Sequence, residues 1–247
     1  MSLAWLTARP IAHRGLHDAA AGVIENTASA FNAAIAGNYG IECDLQLSGD
    51  GEAMVHHDPV LGRLTEGDAW LADMNATAIK AVRFKASSDH ILTLGELCDL
   101  VAGRVTLVLE LKTFFDRDLR LAERVAAVLA AYKGPVAAMS FDPMLVEALR
   151  TVAPRLVRGI VAERHYTHHE WDRLTPRQKR YLGHLLHAWR SRPQYVAYRV
   201  QDLPAPGPWV ARTVFGLPLL TWTVRSDADR AASGRYADQM IFEGFRP

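Results

Sequence analysis

The sequence predicts an α/β fold, a (β/α)₈ barrel with an extra hairpin strand after the second barrel strand. Three observations lead there. Short β-rich runs alternate with helical patterns along the whole chain, as in parallel sheets with helical crossovers. Several runs, such as Val105 to Leu109, are continuously apolar, which suits strands covered on both faces. The length of 247 residues matches the ~250 typical of one such barrel.

The strand candidates are 10–14, 40–47, 52–57, 104–111, 135–141, 157–163, 194–200, 218–224 and 238–243. That is one too many for eight. The second and third are too close for a helical crossover, and Ser48-Gly49-Asp50-Gly51 between them reads as a tight hairpin turn. With Ser48 facing Gly51, Glu42 falls opposite His57, on the face it shares with Asp44. Removing this arm leaves eight parallel strands. The first helix starts near Thr27 and ends at Gly37. Capping boxes stand at Thr93 with Glu96 and at Thr175 with Gln178, and Asp142-Pro143 opens another helix. Leu145, Val146, Leu149 and Val152 then make its apolar stripe, and Leu121, Val125, Val128, Leu129 and Tyr132 make a second. All 247 residues are expected in one domain, with a helical insertion over about 164–192.

Composition excludes several function classes. A net charge of +1 lacks the basic footprint of a nucleic-acid binder. No apolar run reaches the ~18 residues of a membrane span, so no stable membrane insertion is expected. Residues 1–10 lack the pattern of a secretory leader, and the two cysteines, Cys43 and Cys98, cannot build a disulfide framework. A cytoplasmic location is the expectation. No glycine-rich loop with Lys-Ser or Lys-Thr speaks for nucleotide hydrolysis.

Polar residues cluster where apolar runs end. His13 and Arg14 end the first strand, Glu42 and Asp44 lie in the second, and Glu110 and Lys112 close the run 105–109. A barrel gathers its C-terminal strand ends on one active-site face. Singly, each residue reads as a solvated strand end or a core histidine. Together, three carboxylates repel one another, and a hard cation relieves that. Oxygen-only ligands suit one divalent cation, Mg²⁺ or Ca²⁺, rather than zinc.

At this point the sequence resembles the glycerophosphodiester phosphodiesterases. The motifs that carry the resemblance are Ala12-His13-Arg14-Gly15, Glu25-Asn26-Thr27 with Phe31, and Glu42-Cys43-Asp44-Leu45-Gln46-Leu47. They continue as His57-Asp58-Pro59, Leu109-Glu110-Leu111-Lys112, Ser140-Phe141 and Trp222-Thr223-Val224, in the family's order across nearly the whole chain. The resemblance implies a (β/α)₈ barrel and hydrolysis of a small-molecule glycerophosphodiester to glycerol 3-phosphate and an alcohol. It implies Glu42, Asp44 and Glu110 as metal ligands, His13 and His57 as the acid/base pair, and Arg14 and Lys112 as phosphate contacts. Glu25 matches an acid near the metal, as a further ligand or a residue behind one. His56 competes with His57, but the family pattern places the histidine directly before Asp58. In the family, the glycerol 2-hydroxyl is thought to attack first.

Two positions depart from the pattern: Arg225 stands where Asn is usual, and Glu243 where a Thr-Asp pair is usual. Arg225 either pairs with Glu243 or reads the substrate's leaving group. Trp222 is either barrel packing or a wall for the head group. The basic segment 164–192 holds five of the ten histidines without a carboxylate or cysteine at ligand spacing, and reads as a solvated insertion. Its Tyr166, Trp171 and Trp189 are candidates for a lid or a dimer contact, and a lipid-surface role, though open, has little support from so few apolar residues. The rival readings are a phospholipase D-like enzyme or lyase acting on lysolipid head groups, and a barrel turned binding module.

Overall fold

The computed structural model describes residues 3–247. Its strands are β1 Ile11–Ala12, β2 Gly40–Leu47, β3 Ala53–Val55, β4 Leu107–Leu111, β5 Val136–Ser140, β6 Val157–Ala162, β7 Tyr195–Arg199, β8 Leu219–Val224 and β9 Gln239–Phe242. All except β3 pair in parallel. The ring closes because β1 pairs with both neighbours, Ala12 with Ile41 on one side and Phe242 on the other. The result is a closed eight-stranded barrel, with β3 bonded antiparallel to β2 outside the ring.

Side-chain alternation sorts each strand into two environments. On β2 and β4, Ile41, Cys43, Leu45, Leu107, Leu109 and Leu111 join the apolar layer beneath the helices. Glu42, Asp44, Val108 and Glu110 occupy the alternate positions, and register sets Asp44 beside Glu110. The barrel interior is filled by side chains such as Ile11, Val108, Met139, Val161 and Tyr195. Tyr195 needs Gly159 opposite it, since a Cβ there would lie 2.4 Å from the phenol ring.

Helix starts follow the sequence signals. Thr27 Oγ1 caps Ala28–Ala36, Thr93 and Glu96 form a capping box for Leu94–Val101, and Asp142 caps Pro143–Val152. Such caps contribute about 1 kcal/mol each. The 164–192 segment lies within the β6–β7 connection, with helices Pro176–Gly183 and Ala188–Ser191.

The structure corrects the hairpin register by one residue. Leu45 pairs with Val55 and Leu47 with Ala53, so Ser48 faces Glu52 rather than Gly51. The Ser48 N–H donates to Glu52 O at 2.9 Å, across a three-residue loop in which Gly51 takes the left-handed φ of +87°. Strict continuation of that ladder would turn His57 outward with Cys43. The last ladder bond runs from His56 N–H to Asp44 O, and the chain then bends to bring His57 to the barrel mouth. The 104–111 candidate also shortens at its start, because the turn leaving the preceding helix runs on through Arg104, whose N–H donates back to Val101 O.

Candidate active site

The turn after β1 is built from backbone geometry. The His13 N–H extends the ladder to Phe242 O, and then Arg14 and Gly15 take φ of +55° and +81°. This reversal points the Arg14 N–H at Glu42 Oε2, 3.0 Å away. At Gly15 a Cβ would sit 2.9 Å from the Ala30 backbone, so glycine is required for both φ and space. Asn26 also has a positive φ, and its amide donates to Asp44 Oδ2 at 2.9 Å while its carbonyl accepts from Asp44 N–H.

His13, Arg14, Glu42, His57, Glu110, Lys112, Trp222 and Arg225 line one cavity of about 460 Å³ at the C-terminal strand ends. Asp44 is buried beside them. Glu42, Asp44 and Glu110 each offer a carboxylate oxygen, and these oxygens lie within 4.8 Å of one another. The three fit a hard cation: the donors are all oxygen, and buried Glu42 Oε1 has no hydrogen-bond partner among the described residues. Burial, then Asp44 and Glu110, push the Glu42 carboxyl well above its usual range. Burial also pushes Asp44 upward, but Lys112 and Arg14 outweigh it and hold Asp44 well below the ordinary value. Lys112 Nζ reaches Asp44 at 2.8 Å and Glu110 at 2.7 Å, and Arg14 Nε lies 3.1 Å from Asp44.

Glu25 accepts from Arg14 at 2.7 Å and from Arg63 at 2.6 Å, and it is not one of the three converging carboxylates. Each mouth histidine has Nδ1 against a carboxylate, His13 on Glu243 and His57 on Asp58, both at 2.8 Å. Burial lowers the His13 pKa to about 4, against the opposing pull of Glu243. His56 lies away from the cavity lining, 2% exposed, and burial lowers its pKa to about 4 as well.

Arg225 pairs with Glu243 at 2.9 Å and still lines the cavity. Trp222 sits where the β8–β9 register shifts, and its Nε1 donates to Ala197 O at 3.2 Å. Its ring meets Phe141 edge-on at 5.5 Å, and Phe141 packs on Trp171 at 4.6 Å. Tyr166 and Trp171 are therefore buried parts of an aromatic wall, whereas Trp189 is exposed. Of the insertion's histidines, His187 is buried against Ser191.

Sequence reasoning passed over Glu163, Arg199 and Arg63. Glu163 and Arg199 line the same cavity, 3.6 Å apart. Both sit at the C-terminal ends of their strands, so the rule that found Glu110 points to them too. Arg63 sits in a long loop, ties Glu25 to Asp58, and left no signal in the sequence.

A Caldanaerobacter subterraneus glycerophosphodiester phosphodiesterase is 31% identical over 161 residues, covering 61% of this chain and 65% of the relative, short of two thirds of its length. A Silicibacter pomeroyi protein, provisionally described as a glycerophosphoryl diester phosphodiesterase, superposes with a TM-score of 0.75 at 25% identity, covering 95% of this chain and 89% of that one. An Oleispira antarctica phosphodiesterase solved with the product sn-glycerol 3-phosphate shares the fold, with a TM-score of 0.78 at 19% identity, over 96% of this chain and 94% of that one. The sequence model of the glycerophosphoryl diester phosphodiesterase family matches residues 13–244, from the histidine that ends β1 to just past Glu243. A match running from the end of β1 through every later strand of the barrel means that this chain belongs to the glycerophosphoryl diester phosphodiesterase family.

Proposed function

We propose that the chain hydrolyses glycerophosphodiesters to glycerol 3-phosphate and an alcohol, as one catalytic unit working in the cytoplasm. The observation that carries this reading is the convergence of three carboxylates beside two carboxylate-bound histidines at one barrel mouth. The Oleispira protein's bound product supports the same substrate class. Glu42, Asp44 and Glu110 would hold the cation, Mg²⁺ or Ca²⁺. When bound, it supplies charge neutralisation and polarisation of the phosphate.

The chain's own residues do the rest. Arg14 and Lys112 bring fixed positive charge to the phosphate oxygens, Arg14 with a planar fork and Lys112 as a point charge. His13 and His57 divide the proton work. One takes the proton of the attacking glycerol 2-hydroxyl while the other protonates the leaving alcohol, which leaves a cyclic glycerol phosphate; the pair then delivers a water, with its proton going back to the glycerol 2-oxygen, to open that ring to glycerol 3-phosphate. Glu243 and Asp58 at the Nδ1 atoms hold each ring so that Nε2 faces the substrate. Trp222 and Phe141 wall the head-group side, and burial there keeps water from competing.

A second reading, action on lysolipid head groups, is favoured by one observation. A cavity of about 400 Å³ adjoins the first, shares His57, Glu110 and Lys112 with it, and adds Pro59, Trp70 and Phe114. The test is release of glycerol 3-phosphate from a glycerophosphodiester panel and of head group from lysolipids, with and without chelator. Turnover that survives complete chelation would sink the metal-dependent reading. Turnover only of lysolipids would favour the second.

A further inference from the structure

The segment 164–192 is basic and poor in apolar residues when read alone. The fold lays it beside the β7–β8 connection, and together they frame an open groove of about 800 Å³ on the barrel's flank. Ile160 and Val196, from β6 and β7, line its floor. The helix on one side, Ala188–Ser191, is only four residues long, and Ile160 and Val196 are buried at the groove's base. In the groove's lining Leu186, Trp189 and Phe215 stand exposed, Trp189 at 74% and Phe215 at 71%. Single exposed apolar side chains are ordinary, but a contiguous group marks a contact surface.

Charge selects the partner. Residues 176–193 and 203–218 contain Arg177, Lys179, Arg180, Arg190, Arg192 and Arg212, and no Asp or Glu. Glu147 and Asp238, from outside these segments, pair with Arg190 and Arg212 at 2.9 and 2.8 Å. Arg177, Lys179, Arg180 and Arg192 have no ion pair among the described residues. A symmetric contact with a second copy would set this basic surface against itself, which costs energy. An anionic surface meets both needs at once.

We propose that this flank docks on an anionic lipid bilayer. Trp189 and Phe215 enter the interface, where aromatic rings are stable, and the basic side chains face lipid phosphates. The contact is peripheral: no helix among the described residues is long and apolar enough to cross a membrane. It is separate from the chemistry at the mouth, because residues 176–193 and 203–218 contribute nothing to the cavity around His13 and His57, which the 164–192 segment meets only through His168, Glu170 and Trp171.

The test is co-sedimentation of the full chain with phosphatidylcholine vesicles and with vesicles of equal parts phosphatidylcholine and phosphatidylglycerol. Binding is expected to the mixed vesicles and not to phosphatidylcholine alone, and it should weaken as salt rises. Trp189→Ser with Phe215→Ser should cut the bound fraction about tenfold or more, with melting temperature and turnover of a soluble diester unchanged. Arg177→Gln with Lys179→Gln should weaken partitioning by about fivefold per cation. Absence of binding to the anionic vesicles, or binding that the Trp189/Phe215 variant leaves intact, overturns the proposal. So does a dimer in sedimentation velocity that the same variant dissociates, which would assign the flank to a second copy.

Discussion

His13 Nδ1 lies 2.8 Å from Glu243 Oε2, between residues 230 positions apart in the chain. Its Nε2 is left 3.9 Å from Glu42 Oε2, at the edge of the carboxylate cluster. His57 is held in the same way by Asp58, its immediate neighbour. Glu243 also accepts from Arg225 Nη2 at 2.9 Å. His13 and Arg225 outweigh the effect of burial and hold the Glu243 carboxyl well below the ordinary range. The two departures from the family pattern thus form one unit that aims a histidine.

Glu243→Gln keeps the shape of that unit and removes its charge. Proton transfer by a positioned histidine typically contributes about 10²–10⁴-fold, and a drop of up to that size is expected in kcat/KM, with a small change in melting temperature. Glu243→Asp should recover part of it. Steady-state kinetics of the two variants decide the matter, and an unchanged kcat/KM in Glu243→Gln would remove the positioning role.

His56 and His57 should separate cleanly. His57→Asn is expected to lose about 10²–10⁴-fold in turnover while keeping the wild-type melt. His56 is buried away from the cavity, so His56→Asn should lower the melting temperature more than the turnover. The opposite pattern, measured on both variants side by side, would move the acid/base role to His56.

Glu42 gives a prediction that does not depend on activity. Its buried carboxyl is opposed by burial and by Asp44 and Glu110. In chelated protein, Glu42→Gln removes a carboxylate from that cluster and should raise the melting temperature. Added Mg²⁺ or Ca²⁺ should stabilise the wild type and leave the variant unmoved. Calorimetry showing equal stabilisation of both would contradict the assignment of Glu42 as a ligand.

Away from the site, burial lowers the His187 pKa to about 4, from an ordinary 6.5. Between those values the unfolded chain binds the proton and the folded chain does not. Stability should therefore fall as pH drops through this window, by on the order of 1–2 kcal/mol between pH 7 and 5. His187→Asn should lower stability at pH 7 and flatten that slope. Urea melts of both proteins at the two pH values provide the check, and parallel losses would rule the histidine out as the cause.

Where local rules and burial agreed, the fold was legible. β2 runs over the predicted 40–47, and the capped helices begin where their caps predicted. The hairpin register slipped by one because the turn at Gly51 uses a three-residue loop, and alternation alone cannot distinguish loop lengths. His57 still reaches the mouth, by a bend after His56 that no periodicity announces. Glu42, Asp44 and Glu110 were readable because strand alternation and strand ends fix their direction. Asn26 on Asp44, Arg63 on Glu25 and Glu243 on His13 were not, since each joins parts of the chain that only the closed barrel brings together.

That closure has a consequence for how the protein comes into being. β1 pairs for only two residues with each neighbour, and the strand that completes the ring is the last one made. A chain emerging from the ribosome would carry the three carboxylates early but lack both the seam and the anchor for His13. Folding to competence is therefore a late, long-range event, governed by the cost of joining the first and last strands. Weakening of the seam should appear first as slow maturation, before any loss in the rate of the mature enzyme.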